Sequence, residues 1–141
     1  MPVSTVSHSA AWPLRIFGAL LCLGVVVIHI LDQGGIPGSK EPGYVGVGYY
    51  VLEIVGVVTA VLMLAGFTRP AWLLAIGVAA GPFIGFVLSR GPGLPNYDDD
   101  KGNWGEPLGV LSVVVEVVLL ALSVVLFLRG ARNRAPVAVT S

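Results

Sequence analysis

Three ionisable residues sit inside long apolar runs, where an ionised group is costly: His29, Glu53 and Glu116. At the centre of a bilayer such a group costs at least about 2.5–3.5 kcal/mol on insertion scales, so each implies a compensating partner or a task. One imidazole and two carboxyls can do three kinds of chemistry. They can hydrogen-bond among themselves, or to Ser112, and fix helix register. They can hold a proton or a cation. His29 can also contact a redox group such as a haem or a quinone.

Spacing narrows these options. The two glutamates and the histidine follow no metal-ligand pattern such as HExxH. Bis-histidine haem ligation requires a second histidine in a span, and His8 falls outside the apolar runs. The acidic run Asp98, Asp99, Asp100 lacks the alternation and glycine of a calcium loop and reads as a solvated loop. With Asp32 and Ser112 it forms a second rank of candidates. No nucleophile elbow, P-loop or dinucleotide fingerprint stands in a suitable context, so no catalytic residue, cofactor or metal site is expected. Gly43, Gly46 and Gly48 lie in an expected loop and follow no strand, which argues against phosphate binding.

The elements that position these residues follow from composition. Of 141 residues, 55% are hydrophobic and 11% charged, and the mean hydropathy is +0.88. Soluble domains carry about 25% charged residues, so this chain is too poor in ionic groups to cover a water-facing surface. Net charge is zero, which supplies no field for nucleic acid. The single cysteine, Cys22, excludes an internal disulfide and a CxxC knuckle. One domain is expected.

Crossing about 30 Å of hydrocarbon takes roughly 20 apolar residues. Four stretches meet this, at about 12–31, 49–67, 71–89 and 108–128. Runs this long are helical, because backbone groups in lipid must pair within their own segment. The predicted fold is an all-α membrane protein, a four-helix bundle with antiparallel, up-down topology. Trp12 and Trp72 flank one face and Tyr49, Tyr50 and Trp104 the other, as an interfacial aromatic belt does. Pro13, Pro70 and Pro107 fall at helix starts, where a missing N–H is harmless. The first span is too long for a typical signal-peptide core, lacks a small-x-small cleavage site, and reads as a retained helix.

Lysine and arginine set the orientation. Arg15, Arg69, Arg129, Arg132 and Arg134 fall on one side; Lys40, Arg90 and Lys101 fall among acids on the other. Both termini and the tail 129–141 are therefore expected in the cytoplasm of a cell with this protein in its plasma membrane, with loops 32–48 and 90–107 outside. At 1.5 Å per residue, Glu53 lies roughly 6–8 Å and Glu116 roughly 12–14 Å below the outer boundary, with His29 about one turn in. Turned inward, they would gather around one cavity open to the outside. Arg15, near a helix end, can snorkel to the interface.

Small residues mark helix contacts in lipid. Gly77, Gly81 and Gly85 form a doubled GxxxG stripe, predicted to pack against a neighbouring helix or a second copy, and Pro82 beside it should kink the helix. Gly56 with Ala60, Gly109 with Ser112 and Glu116, and Gly18 with Cys22 and His29 mark the small faces of the other spans.

The segments VVIHILDQGG and GLPNYDDDKGNWGEPLG, with the glycine-, alanine- and valine-rich helices, make residues 16–128 resemble a family of small, uncharacterised four-helix integral membrane proteins of actinobacteria. That resemblance implies a four-helix membrane fold with a His-bearing first span and a Glu-bearing fourth, and supplies no activity. The leading functional expectation is a non-enzymatic accessory or structural membrane component, with the bilayer, a second copy or a membrane complex as partner. The alternatives are a small proton or cation binding or transport protein and a redox-chain component. A secondary transporter acting alone generally needs about twice as many helices.

Overall fold

The computed structural model describes residues 12–133, which form four α-helices and, among the described residues, no strand. They are α1 (Trp12–Asp32), α2 (Gly43–Ala65), α3 (Thr68–Arg90) and α4 (Pro107–Arg132). Each is long and apolar enough to cross a membrane. Their outward faces carry Leu20, Ile54, Val61, Leu73, Ile84 and Val114, each more than half exposed. So continuous an apolar surface suits hydrocarbon and not water. His8 and Arg134 lie outside the described residues.

The helix ends follow local chemistry. At the start of α4 the Glu106 carboxylate accepts from the Leu108 and Gly109 amides, and Pro107 occupies the first turn, where its lacking N–H costs nothing. Gly66 ends α2 with φ of 94°, a left-handed conformation open to glycine, and the Gly66 and Phe67 amides cap the Met63 and Leu62 carbonyls. The boundary of α2 departs from expectation. Gly43, Gly46 and Gly48 were assigned to an outer loop but form the first two turns of this helix. Gly46 is small for a reason: a Cβ there would stand 3.0 Å from the Lys40 carbonyl oxygen. α3 runs through Pro82 without interruption.

Neighbouring helices meet end to start. Arg15, near the start of α1, donates to the Met63 and Leu64 carbonyls at the end of α2, 2.7 and 2.8 Å away. Asp32, closing α1, meets Tyr49 near the start of α2. Arg90, closing α3, meets Glu106 at the start of α4. The bundle thus has a terminal end, with Trp12, Gly66 and Arg132, and a loop end, with Asp32, Gly43, Arg90 and Pro107.

Around Gly18 and Gly56 the helices pack closely. A Cβ on Gly18 would fall 2.7 Å from the Trp72 ring and 2.9 Å from the Met63 sulfur, so only glycine lets α1 sit this close to α2 and α3. Gly56 plays the same part against Val26. Cys22, Met63, Ala75, Ala79 and Leu119 have no exposure at all. Small residues permit this contact, and dispersion across it is what holds helices together in lipid. Toward the loop end the packing loosens. Among the described residues α2 and α4 make no close backbone approach, and the space between the helices becomes a cavity.

Candidate functional site

The cavity measures about 440 Å³ and is walled by all four helices and by the loop before α4. Its polar groups arrive by three routes. The first is the end of α1, which carries His29 and Asp32. The His29 Nδ1 lies 2.8 Å from the Val25 carbonyl one turn back. A carbonyl can only accept, so Nδ1 carries the proton and Nε2 is left with a free lone pair. The ring packs edge-on to Tyr49 with 5.0 Å between centroids. Asp32 sits at the negative end of the α1 dipole, an unfavourable place for a carboxylate. Lys40 offsets this at 3.1 Å and the Tyr49 hydroxyl donates to the same oxygen at 2.5 Å.

The second route is the end of α3. Arg90 is 9% exposed and is held between Asp100, at 3.3 Å, and Glu106, at 3.6 Å. Its guanidinium lies over the Phe86 ring, 4.4 Å from the centroid. Asp100 also accepts from the Tyr97 hydroxyl at 2.6 Å. Burial and this bond to a carboxylate push the Tyr97 phenol well above its ordinary pKa. The loop is folded back by these contacts and by the Gly102 amide, which donates to the Arg90 carbonyl at 2.8 Å. Its tip reaches across to α2, where the Tyr44 hydroxyl donates to the Pro95 carbonyl at 2.5 Å. The segment 91–106 therefore forms a roof over the cavity.

The third route is α4. Glu116 is 1% exposed and lines the cavity about 14 Å along the helix from Pro107. The Ser112 hydroxyl donates to its Oε1. Its Oε2 is buried without any hydrogen-bond partner. A buried acceptor left unpaired typically costs about 1–3 kcal/mol, so this oxygen is poised to take a donor. On the facing wall Pro82 has no N–H to give the Val78 carbonyl, and both residues line the same space.

The structure brings His29, Asp32, Asp100, Ser112 and Glu116 to one cavity. It leaves out three candidates. Glu53 is buried but lies on the face of α2 shared with Gly46, Gly56, Ala60 and Met63, which turns toward α1 and away from the cavity. The expected gathering of His29, Glu53 and Glu116 is corrected to His29 and Glu116. Asp98 and Asp99 are exposed on the loop and do not line the cavity. Among the described residues no three of His, Cys, Asp and Glu come together as a metal cluster.

The glycine stripe is corrected as well. A Cβ on Gly77, Gly81 or Gly85 would meet nothing within 4 Å, so this face packs against no helix of its own chain. All three line the cavity instead, and Gly77 and Gly81 are exposed. The contact glycines are Gly18, Gly56 and Gly109, the last beneath Phe86, Glu106 and Arg90. Arg90 and Tyr97 escaped sequence reading because a charge or phenol beyond a span end reads as interfacial. The signal available was the acidic pair, Asp100 and Glu106, that follows Arg90 in the same loop.

Compared with protein-family models, curated proteins and solved structures, the chain finds no match in any of the three.

Proposed function

We propose that this chain is a small, non-enzymatic accessory component of the plasma membrane that binds a small ligand through a donor group offered to Glu116. One observation carries this reading: Glu116 lines the cavity, and its Oε2 is buried without a partner while its sister oxygen is satisfied. The ligand's group is a protonated amine or a hydroxyl, since either donates to a carboxyl oxygen. The arginine distribution supports an up-down arrangement with both termini cytoplasmic and the cavity facing outward.

Passage across the membrane is less well supported than binding. Between the cavity and the terminal end lie Cys22, Met63 and Ala75, all without exposure. Among the described residues that half holds no continuous line of polar groups of the kind a proton or cation pathway uses.

Butylammonium is a suitable probe, being a compact donor with a short apolar tail. With the protein in nanodiscs, it should raise the thermal unfolding midpoint in proportion to occupancy. In Glu116→Gln, which keeps the shape and removes the charge, its affinity should fall about tenfold or more. No shift in the wild type, or equal shifts in both proteins, overturns the reading.

A further inference from the structure

The cavity is not sealed from the side. On α2 its wall includes Gly48 and Val51, and on α3 Gly77 and Gly81; all four are exposed as well as cavity-lining. α2 and α3 are joined at the terminal end by the short turn at Gly66 and Phe67. Beyond that turn both helices line the cavity, and the absence of side chains at Gly77, Gly81 and Gly85 leaves open space beside α3. Gly81 stands about 14 Å along α3 from Arg90, the same depth as Glu116 on α4. A slot at this depth faces hydrocarbon, not headgroups.

We propose that the ligand is a single-tailed amphiphile, drawn from the bilayer, whose ammonium or hydroxyl head donates to Glu116 and whose hydrocarbon tail leaves through the slot between α2 and α3. The inference rests on the reading of Glu116 given above and adds the route and the ligand class. Two independent features converge on it. A nine-tenths buried, partnerless carboxyl oxygen calls for a donor, and a side-chain-free stripe at the same level leaves room for methylenes.

The tail gains little by exchanging lipid for the slot, because both surroundings are apolar. Its role is therefore selective. A tailed head can reach Glu116 only if the tail has a way out, and the glycines provide that way. Segment 91–106 lies over the loop end of the cavity, with Tyr44 bonded to Pro95, and the proposed route for a ligand of this class is from the membrane.

The test compares butylammonium with dodecylammonium and dodecanol in nanodiscs, the long probes carrying a diazirine on the terminal carbon. Label is expected on the segments 77–85 and 48–55, competed by unlabelled dodecylammonium or dodecanol according to which head binds. Filling the slot with Gly77→Leu and Gly81→Leu should lower the ratio of long-chain to butyl affinity about tenfold or more. Gly81→Ala, whose methyl meets open space, is the milder control should the leucine variant misfold, and a smaller fall in the same ratio is expected. Label scattered over the lipid-facing surface, or an unchanged ratio while butylammonium still binds, overturns the slot and leaves the reading of Glu116 standing. Crosslinks between two copies through residues 77–85 also overturn it, since the stripe is then a dimer interface. If butylammonium itself fails to bind, the Glu116 reading falls first.

Discussion

Ser112 and Glu116 stand one turn apart on α4, and the serine hydroxyl donates to one glutamate oxygen while the other is buried unpaired. The pair is half-satisfied, and that predicts how stability and binding separate. Glu116→Leu removes the orphan oxygen and keeps the bulk, so unfolding free energy should be unchanged or higher by about 1–2 kcal/mol. Butylammonium binding should vanish in the same variant. Equilibrium unfolding in mixed micelles and a binding titration check both. A large loss of stability would show that the carboxyl serves packing.

The glycines divide into two classes with opposite responses to a methyl group. Gly77→Ala and Gly81→Ala place a Cβ in open space and should stabilise by up to about 1 kcal/mol each through helix propensity. Gly18→Ala and Gly56→Ala drive a Cβ into Trp72, Met63 or Val26 and should destabilise by about 1–3 kcal/mol. The four unfolding midpoints decide it. Uniform destabilisation would mean that the α3 stripe is packed after all.

Glu53 turns toward α1, and its Oε1 is buried without a partner. Glu53→Leu should therefore leave butylammonium affinity within about twofold of wild type, as expected for a site that shares no partner with the cavity. A tenfold loss would restore Glu53 to the binding group.

Arg90 fastens the roof through Asp100 and Glu106, which are themselves about a quarter exposed. Solvent screening at those carboxylates reduces what a fully buried pair would contribute. Arg90→Met should cost about 1–3 kcal/mol, and amide hydrogen exchange should quicken across residues 91–106 while the terminal half stays protected. Unchanged exchange in that segment would show that the ion pairs do not hold it.

Tyr97 supplies a pH response outside the spans. Burial and the bond to Asp100 raise its pKa in the folded protein. The sign follows: the stabilisation is whole below the ordinary tyrosine value of about 10 and is lost as pH rises through the folded one. An ultraviolet absorbance titration should show a late-ionising phenol that Tyr97→Phe abolishes. In that variant the alkaline loss of stability should be smaller. Identical titrations would remove the effect.

Much of the fold was legible because a membrane span is a matter of length and hydropathy, both written locally in the chain. The small faces at Gly18 and Gly56 were legible for a similar reason, since helical period fixes which residues share a side. Period does not say which neighbour that side meets. Gly77, Gly81 and Gly85 share a face as expected, but that face opens on the cavity and not on a neighbouring helix. Glu53 and Tyr49 lie on the same helix a turn apart, and only the position of α1 decides which of them sees the cavity. The expected start of α2 was late because glycine at 43, 46 and 48 reads as loop. Close approach of the Lys40 backbone is a tertiary reason for glycine, invisible in a local window.

Arg15 was expected only to reach for the interface, yet it ties α1 to the last carbonyls of α2 and lies over Trp12. That tie holds the terminal ends of α1 and α2 together, as Asp32 with Tyr49 holds their loop ends. The two helices are therefore pinned at both boundaries of the bilayer, and the cavity between the pins can change its contents without the pair coming apart.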